Sequence, residues 1–120
     1  ALGSEIEIVP ALEEYDFGDW RGQSLSDLQE STPQALADWL SNPYAAPHHG
    51  ESVQDLCLRV GAWLDEFREE GHFAVVTHPF VIRAALLHAL AASTASFNLI
   101  DVEPLSIVDL RFNERWRLRF

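Results

Sequence analysis

Val53, Leu56, Cys57, Val60, Trp63, Leu64 and Phe67 recur three and four positions apart between Ser52 and Glu70, the period that gathers apolar side chains on one face of a helix. The other face is charged and Gly71 supplies a stop, so the spacing predicts an amphipathic helix over 52–70. Phe73 to Thr77 is a short continuous apolar run, the pattern of a strand buried on both faces. After His78 a nearly all-apolar helix is expected from Pro79 to Ala91. Nearer the start, Ile6, Ile8 and Val9 interleave with Glu5 and Glu7 before Pro10, as in a half-buried or edge strand. From Pro10 to Gly22 the chain is rich in aromatics, acids and glycine with neither period, and an ordered loop is expected. Ser24 or Ser26 can cap a short helix to about Glu30, and Thr32-Pro33 can start another to about Leu40. Asn42, Pro43, Pro47 and Gly50 mark a second long loop. Leu105–Phe112 and Arg115–Phe120 read as a terminal hairpin turning at Asn113 and Glu114.

Composition narrows the function classes. With 120 residues and 48% hydrophobic content, one core and a single domain spanning 1–120 are expected. Nineteen acids against eight basic residues, all arginine, give a net charge of −11. That charge repels phosphodiester backbones and anionic lipid, so nucleic acid and membrane are not expected partners. The apolar stretch from Pro79 to Leu90 is broken by Arg83 and His88 and falls short of the roughly 20 residues a membrane span needs. Cys57 has no disulfide partner and no His/Cys group has zinc spacing, so neither a metal nor a cofactor is called for, and a cytoplasmic setting is expected. Methionine is absent, and Ala1, Leu2 and Gly3 read as the last turn of a helix, which leads to the expectation that a segment precedes Ala1.

The chemistry-bearing candidates sit at element ends. His78 falls between the predicted buried strand and the following helix, where open α/β sheets bind ligands and a helix N-terminus favours an anion. It can serve a phosphate or simply hold the turn. Arg83 interrupts an apolar helix, and its guanidinium needs either a protein carboxylate or a bound phosphate. Glu51 stands at the start of the long helix, where it can answer the helix dipole or protonate a leaving oxygen. His48 and His49 read as solvated loop residues, and His72, His88 and Cys57 as structural. Tyr15, Phe17, Trp20, Trp39 and Tyr44 are either core or the wall of a pocket.

In combination these residues resemble the histidine phosphatase superfamily. Leu12-Glu13-Glu14-Tyr15-Asp16-Phe17-Gly18-Asp19-Trp20-Arg21-Gly22 is similar to the family's L-x-E-x-D-F-G-x-W-E-G loop. Gly50-Glu51-Ser52 resembles G-G-E-S, and Val75-Val76-Thr77-His78-Pro79-Phe80-Val81-Ile82-Arg83 resembles V-T-H-G-x-x-I-R. The resemblance implies an α/β fold, three-layered, with a mostly parallel sheet and helices on both faces, as in phosphoglycerate mutase relatives. It implies hydrolysis through a phosphohistidine, with Glu51 donating a proton to the leaving group and His78 bonded to the phosphoryl oxygens. Arg83 then takes a phosphate role, and Tyr15, Phe17, Trp20 and His49 line the substrate pocket. The nucleophile's R-H-G motif and the S-x-x-x-R-A-x-x-T-A motif are not in this sequence. The first strand and helix are accordingly expected to be missing, on the order of 30 to 50 residues. Pro79 and His49 stand where the family pattern has glycine.

The function expected is phosphomonoester hydrolysis of a small phosphorylated metabolite, of the α-ribazole phosphatase type, with this chain inactive on its own. A non-catalytic pseudophosphatase and a mutase-like phosphotransferase are the alternatives. A homodimer or a complementing N-terminal segment is the expected partner.

Overall fold

The computed structural model describes residues 9–67, 73–103 and 106–120. Among them the chain passes through 3-10 turns at Pro10–Leu12 and Gly18–Trp20 and then four helices: α1 (Leu25–Ser31), α2 (Pro33–Ser41), α3 (Val53–Glu66) and α4 (Pro79–Ala89). A 3-10 stretch at Thr94–Leu99 and the strands β1 (Asp109–Asn113) and β2 (Arg115–Arg119) complete it. The helix end expected at Ala1–Gly3, most of the strand expected at 6–9, and His72 lie outside the described residues.

Local chemistry sets the helix starts. Ser24 accepts from the Asp27 amide at 3.1 Å while Asp27 accepts from the Ser24 amide at 2.9 Å, a reciprocal capping box. Ser52 accepts from the Asp55 amide at 3.0 Å and opens α3. Pro33 and Pro79 occupy first-turn positions, where proline loses no helical hydrogen bond. α3 stops at Glu66 rather than Glu70, with the Phe67 amide folded back onto the carbonyls of Trp63 and Leu64.

α3 buries Val53, Leu56, Val60 and Leu64 in one cluster with Val81, Ala84 and Leu87 of α4 and with Phe97. Burial of side chains of this size contributes about 1.5–3 kcal/mol each. Gly61 lets the helices close: a Cβ there would sit 2.6 Å from Nδ1 of His88, whose Nε2 meets an Asp65 oxygen at 2.7 Å. His88 is thus structural, as its position on an apolar helix suggested.

Three expectations need correction. Phe73–Thr77 is not a buried strand: it belongs to no described ladder, Phe73 and Val75 are half exposed and Val76 is fully exposed. A strand exists only through its neighbours' hydrogen bonds, and the one described sheet is the antiparallel β1–β2 hairpin. That hairpin turns at Glu114, where φ is +68°, as expected, but β1 begins at Asp109 rather than Leu105. The loop from Pro10 to Gly22 contains two 3-10 turns.

Candidate active site

Two loops cross at the start of α3 and fix Glu51 between them. The Asp19 amide donates to the His48 carbonyl at 2.7 Å, and the Glu51 amide donates to the Asp16 carbonyl at 3.1 Å. The backbones approach so closely that only glycine fits. A Cβ on Gly18 would lie 2.1 Å from the His48 oxygen, and one on Gly50 would lie 2.1 Å from the Asp16 oxygen. Gly18 also has φ +53°, open to glycine at little cost. The glycines of the D-F-G-D-W and G-E-S stretches are therefore the contact points of the crossing. His49 has φ +62°, which explains why the family pattern prefers glycine there.

Three N–H donors hold the Glu51 side chain. Oε1 accepts from the Asp16 amide at 2.9 Å and from Nη2 of Arg59 at 2.8 Å, and Oε2 accepts from Nε of Arg59 at 3.1 Å. Its carbonyl accepts from the Tyr15 hydroxyl at 2.5 Å, and that hydroxyl accepts from Nε1 of Trp39 at 3.0 Å. Burial is the main cause of a Tyr15 pKa pushed up to about 12; the Trp39 bond opposes it and the Glu51 charge adds to it.

Arg59 also reaches the segment before Tyr15. Nη1 donates to the Ala11 carbonyl at 2.7 Å, and Nη2 to the carbonyls of Glu13 at 2.8 Å and Glu14 at 3.3 Å. The neighbouring Leu12 carbonyl accepts from the Thr77 hydroxyl at 2.9 Å. One turn, 11–14, is thus held on one side by the arginine that grips Glu51 and on the other by the residue preceding His78. His78 itself is the N-cap of α4, exposed, with no side-chain cap bond. Arg59 escaped the sequence reading. The available signal was its place on α3, roughly two turns along from Glu51 and on a similar face.

The remaining candidates divide. Tyr15 and Trp20 are buried, and Phe17 is half-buried against the rings of Tyr15 and Phe80. Those three also line an open concavity of about 690 Å³ whose other walls include Glu13, Glu14, Asp16 and Arg21; neither Glu51 nor His78 lines it. His49 is exposed and pairs with Asp19 at 2.6 Å. Tyr44 is exposed, and Trp39 is core. The Arg83 guanidinium lies over the rings of Phe80 and Phe97, at 5.0 and 5.3 Å, with no partner for its buried Nε. Burial pushes its pKa down, against the pull of Asp101.

His48 corrects the expectation of a solvated loop residue. It is fully buried, stacked at 5.5 Å on Tyr15 and 4.9 Å on Trp20, and neither ring nitrogen has a partner. Burial lowers its pKa, with the charges of Asp16 and Asp19 opposing.

Arg59, which holds the Glu51 carboxylate, and Thr77, which precedes His78 at the start of α4, both bond to the turn 11–14. Residues 1–119 match the histidine phosphatase superfamily, branch 1, and the chain belongs to that family. It is 32% identical over 114 residues to the bifunctional protein Rv2228c of Mycobacterium tuberculosis, covering 91% of this chain and 31% of that protein. It is 32% identical over 81 residues to the adenosylcobalamin/alpha-ribazole phosphatase of Escherichia coli, covering 64% of this chain and 40% of that one. The structure superimposes on mycobacterial glucosyl-3-phosphoglycerate phosphatase Rv2419c in complex with VO3 with a TM-score of 0.82 at 25% identity, covering 98% of this chain and 63% of that chain. The chain therefore spans about a third of the length of the first of these relatives and under two thirds of the solved one. The neighbouring folds are those of phosphoglycerate mutase-like phosphatases, and the chain is of mixed helix and strand type. No helix among the described residues is long and apolar enough to cross a membrane.

Proposed function

We propose that this chain carries the proton-donor half of a cytoplasmic phosphomonoester hydrolase, and that the nucleophilic histidine comes from a segment outside this sequence. In this reading the nucleophile attacks phosphorus as the bond to the leaving oxygen breaks, and the Glu51 carboxyl gives its proton to that oxygen. The resulting carboxylate then takes a proton from the water that attacks the phosphohistidine, which frees phosphate and the nucleophile. His78 donates to the phosphoryl oxygens, where negative charge gathers. Arg83 contributes positive charge beside that site, and Tyr15, Phe17, Trp20 and His49 border the substrate, a small phosphorylated metabolite. The first strand and helix of a three-layer sheet lie in the same outside segment and cover Phe73–Val76.

The bracing of Glu51 and the Thr77–His78 step on the single turn 11–14 carries this reading. Its support is that Arg59, which grips Glu51, and Thr77, the residue before His78, bond to carbonyls of the same turn. The test is steady-state hydrolysis by the protein extended with the upstream segment, using a good aryl and a poor alkyl leaving group. Glu51→Gln slows the alkyl substrate at least tenfold more than the aryl one, because only a poor leaving group depends on the donated proton. His78→Ala slows both alike. Equal losses for Glu51→Gln would remove Glu51 from the donor role. Phosphate transfer without release would point to a mutase, and no turnover at all to a binding protein.

A further inference from the structure

Arg59 makes five hydrogen bonds within the candidate site, from Nε, Nη1 and Nη2. Two go to the two oxygens of Glu51, at 3.1 and 2.8 Å, and the rest to the carbonyls of Ala11, Glu13 and Glu14. Such a planar fork fixes a carboxylate's rotation as well as its place, which a lysine cannot do. Both side chains are largely buried, with 26% of Arg59 and 16% of Glu51 accessible, so the pair is not a loose surface contact of little consequence. Its oxygens are also unequal. Oε1 already accepts two N–H groups, from Asp16 and Arg59, whereas Oε2 accepts only one, at the longest distance of the three. A carboxylate oxygen has two good lone-pair positions, so Oε2 alone keeps one open.

We propose that Arg59 is the positioning residue of the proton donor: its fork turns Glu51 so that Oε2 carries and delivers the proton, and ties that orientation to the turn that also accepts the hydroxyl of Thr77, the residue before His78. This rests on Glu51 being the donor. As the leaving P–O bond breaks, its electron pair passes to the leaving oxygen, which takes the Oε2 proton. The carboxylate left behind keeps its bonds to Arg59 and Asp16, so no rearrangement is needed before it accepts a proton from water. The bland role for Arg59 is a staple for the backbone of 11–14, and the two roles differ in what they do to substrates of unequal leaving ability.

The experiment compares Glu51→Gln, Arg59→Lys, Arg59→Ala and the double variant Glu51→Gln/Arg59→Lys in the protein extended with the upstream segment, with kcat/KM measured on the aryl and alkyl phosphates. Arg59→Lys keeps the charge and part of the bonding, so it reports even where Arg59→Ala does not fold. Arg59→Lys is expected to lose at least fivefold more on the alkyl than on the aryl substrate. Adding it to Glu51→Gln is expected to cause no further selective loss, since the donor is already gone. Free methylguanidinium is expected to restore the alkyl rate of a folded Arg59→Ala protein in part. Equal losses on both substrates for Arg59→Lys, with Glu51→Gln selective, would reduce Arg59 to a backbone staple and leave the donor reading intact. A selective loss that adds to that of Glu51→Gln would show that Arg59 acts on the substrate independently of Glu51 and would overturn the proposal. Absence of selectivity in Glu51→Gln itself would overturn the donor reading and this proposal together.

Discussion

Replacing Gly50 by alanine puts a methyl carbon 2.1 Å from the Asp16 carbonyl oxygen and 2.8 Å from the Gly18 amide nitrogen, both backbone atoms. Ordinary contact begins near 3.4 Å, so the 16–18 segment has to retreat by more than an ångström. Two inter-loop hydrogen bonds span that junction, Asp19 to His48 at 2.7 Å and Glu51 to Asp16 at 3.1 Å. Loss of each costs about 0.5–1.5 kcal/mol, and overpacking of a tight site costs roughly 1–3 kcal/mol. A destabilisation of about 2–6 kcal/mol is expected for Gly50→Ala. Urea unfolding followed by tryptophan fluorescence measures it, since Trp20 and Trp39 lie in the aromatic cluster that the loops enclose. The transition midpoint falls while the slope stays constant. Gly22→Ala is the control: it has φ +81° but no atom within 4 Å of the added carbon, so it reports backbone strain alone. A Gly50→Ala loss below about 0.5 kcal/mol, within the range of an ordinary surface substitution, would refute the crossing as the device that fixes Glu51.

Burial keeps the His48 pKa below its ordinary value of 6.5, so below that pH the unfolded chain binds a proton that the folded chain refuses. Its contribution is complete above about pH 6.5 and is lost as pH falls toward the lowered folded value, with a slope of at most about 1.4 kcal/mol per pH unit; His48→Phe should flatten the acid limb of a urea-midpoint profile, and an unchanged limb would contradict the buried neutral ring. Burial also pushes the Cys57 thiol up to about 11, so alkylation by iodoacetamide at neutral pH should be many times slower in the native chain than in urea, and equal rates would show an exposed thiolate. Trp39→Phe removes the N–H that bonds the buried Tyr15 hydroxyl at 3.0 Å and should cost about 1–2 kcal/mol in the same unfolding assay; Trp39→Phe in a Tyr15→Phe background should cost less, and equal costs would deny the coupling.

The helices were legible because their determinants are local. Ser24 and Ser52 are caps, Pro33 and Pro79 sit where proline costs nothing, and the three-and-four spacing from Val53 to Phe67 needs no tertiary partner to be read. Boundaries were less so, since where α3 ends depends on the Phe67 amide turning back on Trp63 and Leu64. Phe73–Thr77 shows the limit of pattern: the run has the composition of a buried strand, yet burial is a property of neighbours that the described residues do not supply. Within the site, Glu51 and His78 stood out because glycine, serine and proline punctuate their surroundings. Arg59 looked like one more charge on a solvated helix face, and its role appears only when the 11–14 turn folds over it. His48 was misjudged for the same reason, because its sandwich between Tyr15 and Trp20 joins residues far apart in the chain.

The central claim is that the chain supplies donor and phosphoryl-binding groups to a nucleophile it does not itself contain. The most direct measurement is rapid quenching of the extended protein during turnover of a phosphorus-labelled substrate, followed by peptide mapping of the acid-labile, alkali-stable label that marks phosphohistidine. The account predicts label on a histidine of the upstream segment and on none of the five histidines of this sequence, with the 120-residue chain alone taking up none. Label on any of those five histidines would contradict it.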